Sequence, residues 1–449
     1  MKRIFLIIGV GIIAVNSFGQ TKDSVSYSFS IQQAIDFAQK NQHDIKNAMV
    51  DEDIAKQKVN EIKGMGLPQI NSSFNIQDFI EFPTTVIPGG GLFGGAPGTY
   101  AAIKFGTPYQ STAGFDASQL LFSGDYLLGV MASKGYVDLS TKVIQRTQIE
   151  TAATVSKAYY TVLIGEERMQ LMDANVVRIK KAMDDTKALL DNGFVEKIDL
   201  DRLTVTYNNL LIEQDKIQRL LKLGTYLLKY QMGMDINAAL ILTDKLSDIK
   251  FDVANNLTAE KFDYSKRVEF NLFETQFKLA KIDQKRNRFS YLPTAFAFGS
   301  LNGSAYRSKF DLYDSKTPWY PMAMVGGKVT MPIFTGFQRN SKNQQAKLSL
   351  LKAENNIDFI KKSIDLELTS SMTMLQNASV AVENQKKNIA LAEEVYHLSK
   401  LKYEQGVGSN IGMIEAETAL KESQTNYFNA LYDALEAKID YDKANGNLK

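Results

Sequence analysis

Nine prolines stand at positions 68, 83, 88, 97, 108, 293, 318, 321 and 332, and residues 109–292 and 333–449 contain none. Proline removes a backbone donor and clashes with the turn before it, so it marks where a long helix cannot run. The two proline-free stretches can hold very long helices. The runs from about 125 to 191 and from about 337 to 404 would each make a rod of roughly 100 Å at 1.5 Å per residue. No compact domain needs rods of that length. Residues 203–228 place Leu203, Tyr207, Leu210, Gln214, Ile217, Leu221, Gly224 and Leu228 in alternating steps of four and three, a heptad seam. Residues 416–437 set Ala416, Ala419, Ser423, Asn426, Ala430, Asp433 and Ala437 in steps of three and four. That stripe of small residues predicts a close helix–helix approach.

The proline-bearing stretches, about 67–122 and 292–334, have a different period. Ile70, Ser72, Phe74 and Ile76 alternate with Asn71, Ser73, Asn75 and Gln77. Tyr109, Ala113, Phe115 and Ala117 alternate with Gln110, Thr112, Asp116 and Ser118. Phe296 and Phe298 alternate with the small residues Ala295, Ala297 and Gly299, and Trp319 and Tyr320 open a strand-like run to Thr330. Such alternation fits a membrane β-barrel with a polar lumen. It fits equally a soluble antiparallel sheet with one wet face. Between the strands, 87–98 is a glycine-rich loop, and 301–318 reads as a second, polar loop.

The N-terminus reads as a secretory signal peptide over 1–19. Lys2 and Arg3 precede an apolar run from Ile4 to Val15, with small residues at Ser17 and Gly19 and cleavage expected before Gln20. There is no cysteine, so neither disulfides nor a lipidated cysteine can hold the exported chain. With 52 basic and 50 acidic residues, net charge +2, the chain lacks a nucleic-acid footprint.

Internal repetition organises the rest. QLLFSG (119–124) matches MPIFTG (331–336), DNGFVEKIDL (191–200) matches EQGVGSNIGM (404–413), and GLPQI (66–70) matches YLPTA (291–295). Each copy reads helix, strand, loop, strand, long helix, tight turn, helix. Gly406, Gly408 and Gly412 are one residue away from a dinucleotide fingerprint. That fingerprint must follow a strand. Here a long helix precedes it, so the glycines read as a helical-hairpin turn.

Two such copies, a signal peptide, strands led by Leu-Pro and glycine-tipped hairpins resemble the TolC-like outer membrane efflux family, from residue 30 to about Asn445. The resemblance implies an α+β membrane protein built of two internal structural repeats. Four β-strands per protomer would enter a trimeric twelve-stranded outer membrane β-barrel, continued by a long periplasmic α-helical barrel. The first repeat would span 20–232, with strands about 67–78 and 109–122 and a hairpin at 125–232. An equatorial segment would fill 233–260. The second repeat would span 261–449, with strands about 292–302 and 320–333 and a hairpin at 337–444. Pro68 and Pro293 would start barrel strands, and Trp319 and Tyr320 would sit at the membrane interface.

In that family the hairpin tips form the periplasmic entrance and contact an adaptor. Here the tips would be Gly193 and Phe194, and Gly406, Val407 and Gly408. The resemblance assigns Asp199, Tyr403 and Glu415 to the gate, with a hydrogen bond between Asp199 and Tyr403. Asp199 also reads simply as a helix N-cap, and Glu415 as a solvated first-turn acid. The implied partners are two further copies, a periplasmic adaptor protein, an inner-membrane RND or ABC pump and outer membrane lipid. No catalytic, cofactor-binding or metal-binding residue is expected: His43 and His397 are the only histidines and lie far apart in sequence. A soluble periplasmic coiled-coil scaffold is the competing reading; it explains the helices and leaves the alternating strands unexplained.

Overall fold

The structure, a computed structural model, describes residues 26–88, 96–246, 262–311, 314, 316 and 318–448. The signal peptide, the glycine-rich segment 89–95 and the equatorial residues 247–260 lie outside the described residues. The helices are α1 (Ile31–Asn41), α2 (His43–Gly64), α3 (Gly124–Asp191), α4 (Lys197–Gln231), α5 (Val268–Phe289), α6 (Gln338–Glu404) and α7 (Asn410–Ala444). The strands are β1 (Ser26–Phe29), β2 (Gln69–Asp78), β3 (Thr84–Pro88), β4 (Tyr100–Lys104), β5 (Tyr109–Phe122), β6 (Ala239–Leu242), β7 (Thr294–Arg307) and β8 (Tyr320–Thr330). The chain divides into two compact units, each drawn from three separated segments.

The first unit takes in 1–42, 151–255 and 374–439. In it β1 pairs with β6 in parallel. The Ser30 side chain caps α1 and Gln33 answers it in a capping box. From β6's flank, Asp244 Oδ2 accepts from the Ile31 amide at 2.7 Å. Tyr159 is fully buried and donates its hydroxyl to the Phe29 carbonyl at 3.0 Å, and burial pushes that phenol's pKa up.

The heptad seam of α4 faces inward: Leu203, Leu210 and Leu228 are buried and the other five seam positions half-buried. The small-residue stripe of α7 is turned inward only in part. Ala419, Asn426 and Asp433 are exposed. Ala416, Ala430 and Ala437 of the stripe are buried, alongside Leu420, Leu431 and Leu435. Alanines and leucines share the interface, and the leucines remove the most apolar area from water.

The second unit takes in 43–150, 256–373 and 440–449. Its main sheet has the order β2-β5-β7-β8, antiparallel throughout, and a small hairpin β3–β4 lies between β2 and β5 in sequence. The expected second loop begins later than the sequence suggests, since β7 runs on to Arg307. Arg307 is buried and donates to the Asp311 carbonyl at 2.9 Å, so the strand carries its own anchor for the residues beyond it.

Strand register sorts the sheet's side chains into two faces. On one face the rows are Ile70–Ala117–Gly299–Val325, Ser72–Phe115–Leu301–Ala323 and Phe74–Ala113–Gly303–Pro321. On the other they are Asn71–Asp116–Ser300–Met324, Ser73–Gly114–Asn302–Met322 and Asn75–Thr112–Ser304–Tyr320. One face is therefore almost wholly apolar and the other mostly polar. The apolar face is bare: Phe115 is 59% exposed and Val325 88%. A one-sided soluble sheet would bury that face against a core.

Arg267, itself buried, ties the end of α7 to this unit. It donates to the Ala444 carbonyl at 2.8 Å and pairs with Glu367 at 2.7 Å and Glu269 at 3.0 Å.

Candidate functional site: the hairpin tips

Both long hairpins turn the same way. Gly193 and Gly406 adopt φ of 74° and 71°, a left-handed conformation that glycine enters without a Cβ penalty. At the first tip the Phe194 amide donates to the Leu189 carbonyl at 2.9 Å. At the second the Val407 amide donates to Lys402 at 3.0 Å. These are Schellman closures, which satisfy carbonyls left over at a helix end. Gly408 serves the second closure as well, donating to the Lys402 carbonyl at 2.9 Å. A Cβ there would stand 2.9 Å from the Tyr403 amide nitrogen, so the position is closed to side chains for a local reason. Phe194 and Val407 are each 78% exposed at the tips.

Asp199 is the third residue of α4 and not its N-cap, which is Glu196. Asn410, buried at the start of α7, donates from Nδ2 to the Asp199 carbonyl at 2.9 Å and joins the two tips. The Asp199 carboxylate stands 3.9 Å from Arg202. Tyr403 shares a 3.2 Å hydrogen bond with Thr186 Oγ1. Within the chain, then, Asp199 and Tyr403 have separate partners, and the expected bond between them is replaced by two others. Tyr403 reaches α3 because Thr186, fully buried, lies on the helix that packs beside α6 here. Glu415 is exposed in the second turn of α7, one turn later than a first-turn acid.

Above the tips lies a polar layer. Glu417 is 4% exposed, and its carboxylate is 3.3 Å from an Arg178 guanidinium nitrogen. The same guanidinium lies over the Tyr396 ring at 4.9 Å and bonds Asn175 Oδ1. Asn175 Nδ2 donates in turn to Gln424 Oε1 at 3.2 Å. Burial raises the Glu417 pKa, opposed by Arg178, Lys421 and Lys400. Burial, with Glu417 nearby, also pushes the Tyr396 phenol up to about 12. Three helices, α3, α6 and α7, therefore meet through one charge pair. Among the described residues, no group of three or more His, Asp or Glu could hold a metal ion, and no helix is long and apolar enough to cross a membrane.

The barrel-related residues can be placed too. Pro68 and Pro293 each stand one residue before a strand, β2 and β7. Trp319 and Tyr320 separate. Trp319 packs on Gly303, in the apolar row, whereas Tyr320 pairs with Ser304 in the polar row, its ring 6.1 Å from Tyr306. Phe296 and Phe298 likewise lie on the polar face, where the Phe298 ring covers Gly326.

Residues 298–447 match the family described as Outer membrane efflux protein. The whole chain aligns with the outer membrane protein TolC of Escherichia coli at 21% identity, covering 87% of that protein. The probable efflux pump outer membrane protein TtgC of Pseudomonas putida is 20% identical over 86% of this chain and 79% of its own. Among solved structures, the outer membrane protein VceC of Vibrio cholerae superposes with a TM-score of 0.69 at 14% identity, covering 93% of this chain and 96% of that one. Over nearly its whole length the chain is similar to TolC-like outer membrane proteins in sequence and in fold.

The tip glycines were legible because each ends a long helix, whereas Asp199, after Gly193, and Tyr403, before Gly406, were assigned through the resemblance. Arg178, Glu417 and Tyr396 were not legible. Charged residues on a long helix normally read as solvated, and nothing in the spacing tells that Glu417 is the one turned inward.

Proposed function

We propose that the chain is the passive exit duct of a tripartite efflux or type I secretion system, in the outer membrane of a Gram-negative bacterium and extending into the periplasm. The observation that carries this reading is the four-stranded sheet: apolar and bare on one face, polar on the other, with β2 and β8 as free edges. Open edges are not tolerated in lipid, so the sheet must close with others. Three copies give twelve strands, and pairing β8 of one copy with β2 of the next continues the antiparallel alternation. The competing scaffold reading leaves the apolar face in water. Helices of 68 and 35 residues in one hairpin and 67 and 35 in the other support two related halves, each adding a hairpin to a periplasmic passage.

The partners would be two further copies, a periplasmic adaptor at Gly193, Phe194, Gly406, Val407 and Gly408, and an inner-membrane RND or ABC pump that supplies the energy. Asp199, Tyr403 and Glu415 would form the entrance, with Thr186 and Asn410 holding it. Opening would repack the helices between two arrangements.

Purified protein in planar bilayers tests this. A trimer that dissociates on heating, with ion-conducting steps that grow in a Tyr403→Phe, Asn410→Ala variant, is expected. A heat-insensitive monomer without conductance overturns the duct; conductance unchanged in the variant overturns the gate alone.

A further inference from the structure

All four strand–helix junctions of the main sheet lie at one end, since β2 and β7 begin there and β5 and β8 finish there. Each junction exposes large apolar side chains: Leu67 before β2, Phe122 at the end of β5, Tyr291 before β7, and Ile333, Phe334 and Phe337 after β8. Ile333 is 97% exposed and Phe337 72%, so the described residues leave both largely uncovered.

Two local devices aim these residues. The β5 register shifts between Leu120 and Phe122, which pairs Phe122 with Ala295, a member of the apolar row. Regular alternation would have sent it to the polar face, and re-aiming a side chain is what a bulge does. After β8, Gly336 and Phe337 both take left-handed φ, 57° and 61°. For a phenylalanine this costs about 1–2 kcal/mol. Strain of this kind persists where surroundings or function require it.

The adjoining helix turns are basic. Lys63 closes α2, Arg286 and Arg288 close α5, and Arg339 and Lys342 open α6. The nearby acids Asp125 and Asp283 are both engaged by Arg286, at 2.8 and 3.9 Å. A helix C-terminus favours cations, which explains Lys63 and Arg288. A helix N-terminus disfavours them, yet the first turn of α6 holds Arg339 and no acid. Lys342 follows it, exposed.

We propose that these junctions form an amphipathic collar that seats in the periplasmic leaflet of the outer membrane and gathers anionic phospholipids, the apolar side chains entering the glycerol and upper acyl region and Arg288 and Lys342 meeting the phosphates, while Arg339 donates to the Ser290 carbonyl. The collar is continuous with the apolar row that ends at Val325 and Val329, and this inference rests on the barrel reading. Phospholipid is the partner because the collar lies at the end of the sheet where the strands run into the long helices, which cannot enter hydrocarbon.

The chain has a single tryptophan, Trp319, so a Trp319→Phe background is silent in fluorescence. Ile333→Trp and, as a mid-sheet control, Phe115→Trp are introduced separately into it. The full-length protein is reconstituted in phosphatidylethanolamine–phosphatidylglycerol vesicles carrying brominated chains. Tryptophan at 333 should be quenched best by bromine near the glycerol end, and tryptophan at 115 by bromine deep in the chain. With bromine on phosphatidylglycerol alone, quenching at 333 should exceed that lipid's mole fraction by about two- to fivefold. Arg288→Gln with Lys342→Gln should return it to the mole fraction. Iodide quenching at 333 without bromolipid quenching overturns the collar, as does protection from both, which would mean a second copy covers the site. Loss of bromolipid quenching at 115 as well would overturn the barrel itself. Enrichment that survives the double substitution removes the cations from the proposal.

Discussion

Replacing Arg178 with methionine leaves Glu417 buried without its cation. Removing one partner of a buried pair typically costs about 3–5 kcal/mol, because the remaining charge is uncompensated. The carboxyl can escape that cost by binding a proton. Its folded pKa is already raised by burial against the pull of Arg178, and losing Arg178 raises it further. A carboxyl whose folded pKa lies above its unfolded value stabilises the folded state at low pH and loses that contribution as pH climbs through the folded pKa. Over the pH range in which the folded carboxyl keeps its proton and the unfolded one does not, stability should fall by about 1.4 kcal/mol per pH unit. Arg178 is 28% exposed in its side chain, so solvent moderates the pair and the upper end of the range is a ceiling.

Amide hydrogen exchange across 411–424, corrected for intrinsic rates, reads the local opening free energy without requiring reversible unfolding. The Arg178→Met protein should lose protection steeply from pH 5 to pH 8. Adding Glu417→Gln should remove the slope while leaving a smaller constant loss. A flat pH profile in Arg178→Met, or a loss below about 1 kcal/mol at pH 8, would refute the argument that this layer holds α3 to α7 through a buried charge.

Two further outcomes follow from the geometry. Phe115→Arg places a charge in the middle of the apolar row and should cost about 2–4 kcal/mol of membrane insertion. Ser73→Arg, on the polar face of the same sheet, should assemble normally; equal yields of heat-labile trimer from both would contradict the facing. Gly408→Ala should disturb the second tip more than Gly193→Ala disturbs the first. The former drives a Cβ into the Tyr403 backbone, whereas the latter meets no atom within 4 Å and bears only the roughly 1 kcal/mol penalty of positive φ, as exchange rates of the tip amides will show.

How much of this was written in the chain differs by element. The long helices were legible because a proline-free run with a heptad seam has few other ways to satisfy its backbone. Their turns were legible because Gly193 and Gly406 stand where a left-handed residue is needed. The first repeat's strands were legible from period two alone, and β5 covers the expected 109–122. The second loop begins later than expected because the polar composition of 301–318 hides a strand, and cross-strand pairing of Gly303 and Ser304 with Ala113 and Thr112 holds them extended. The stripe on α7 was legible in part: Ala416, Ala430 and Ala437 are buried, but spacing alone does not show that Ala419, Asn426 and Asp433 face solvent.

The sequence by itself determined the kinds of element and their order, since these follow from local constraints: proline exclusion, periodicity and glycine stops. Only the tertiary structure decided which faces are bare and which are sealed. Register alone puts Ile70, Phe115 and Val325 on one open surface, and helix packing alone brings Arg178, Tyr396 and Glu417 together. Both depend on contacts between residues far apart in the chain. No local pattern encodes them, because each residue's energy there depends on its neighbours across the interface.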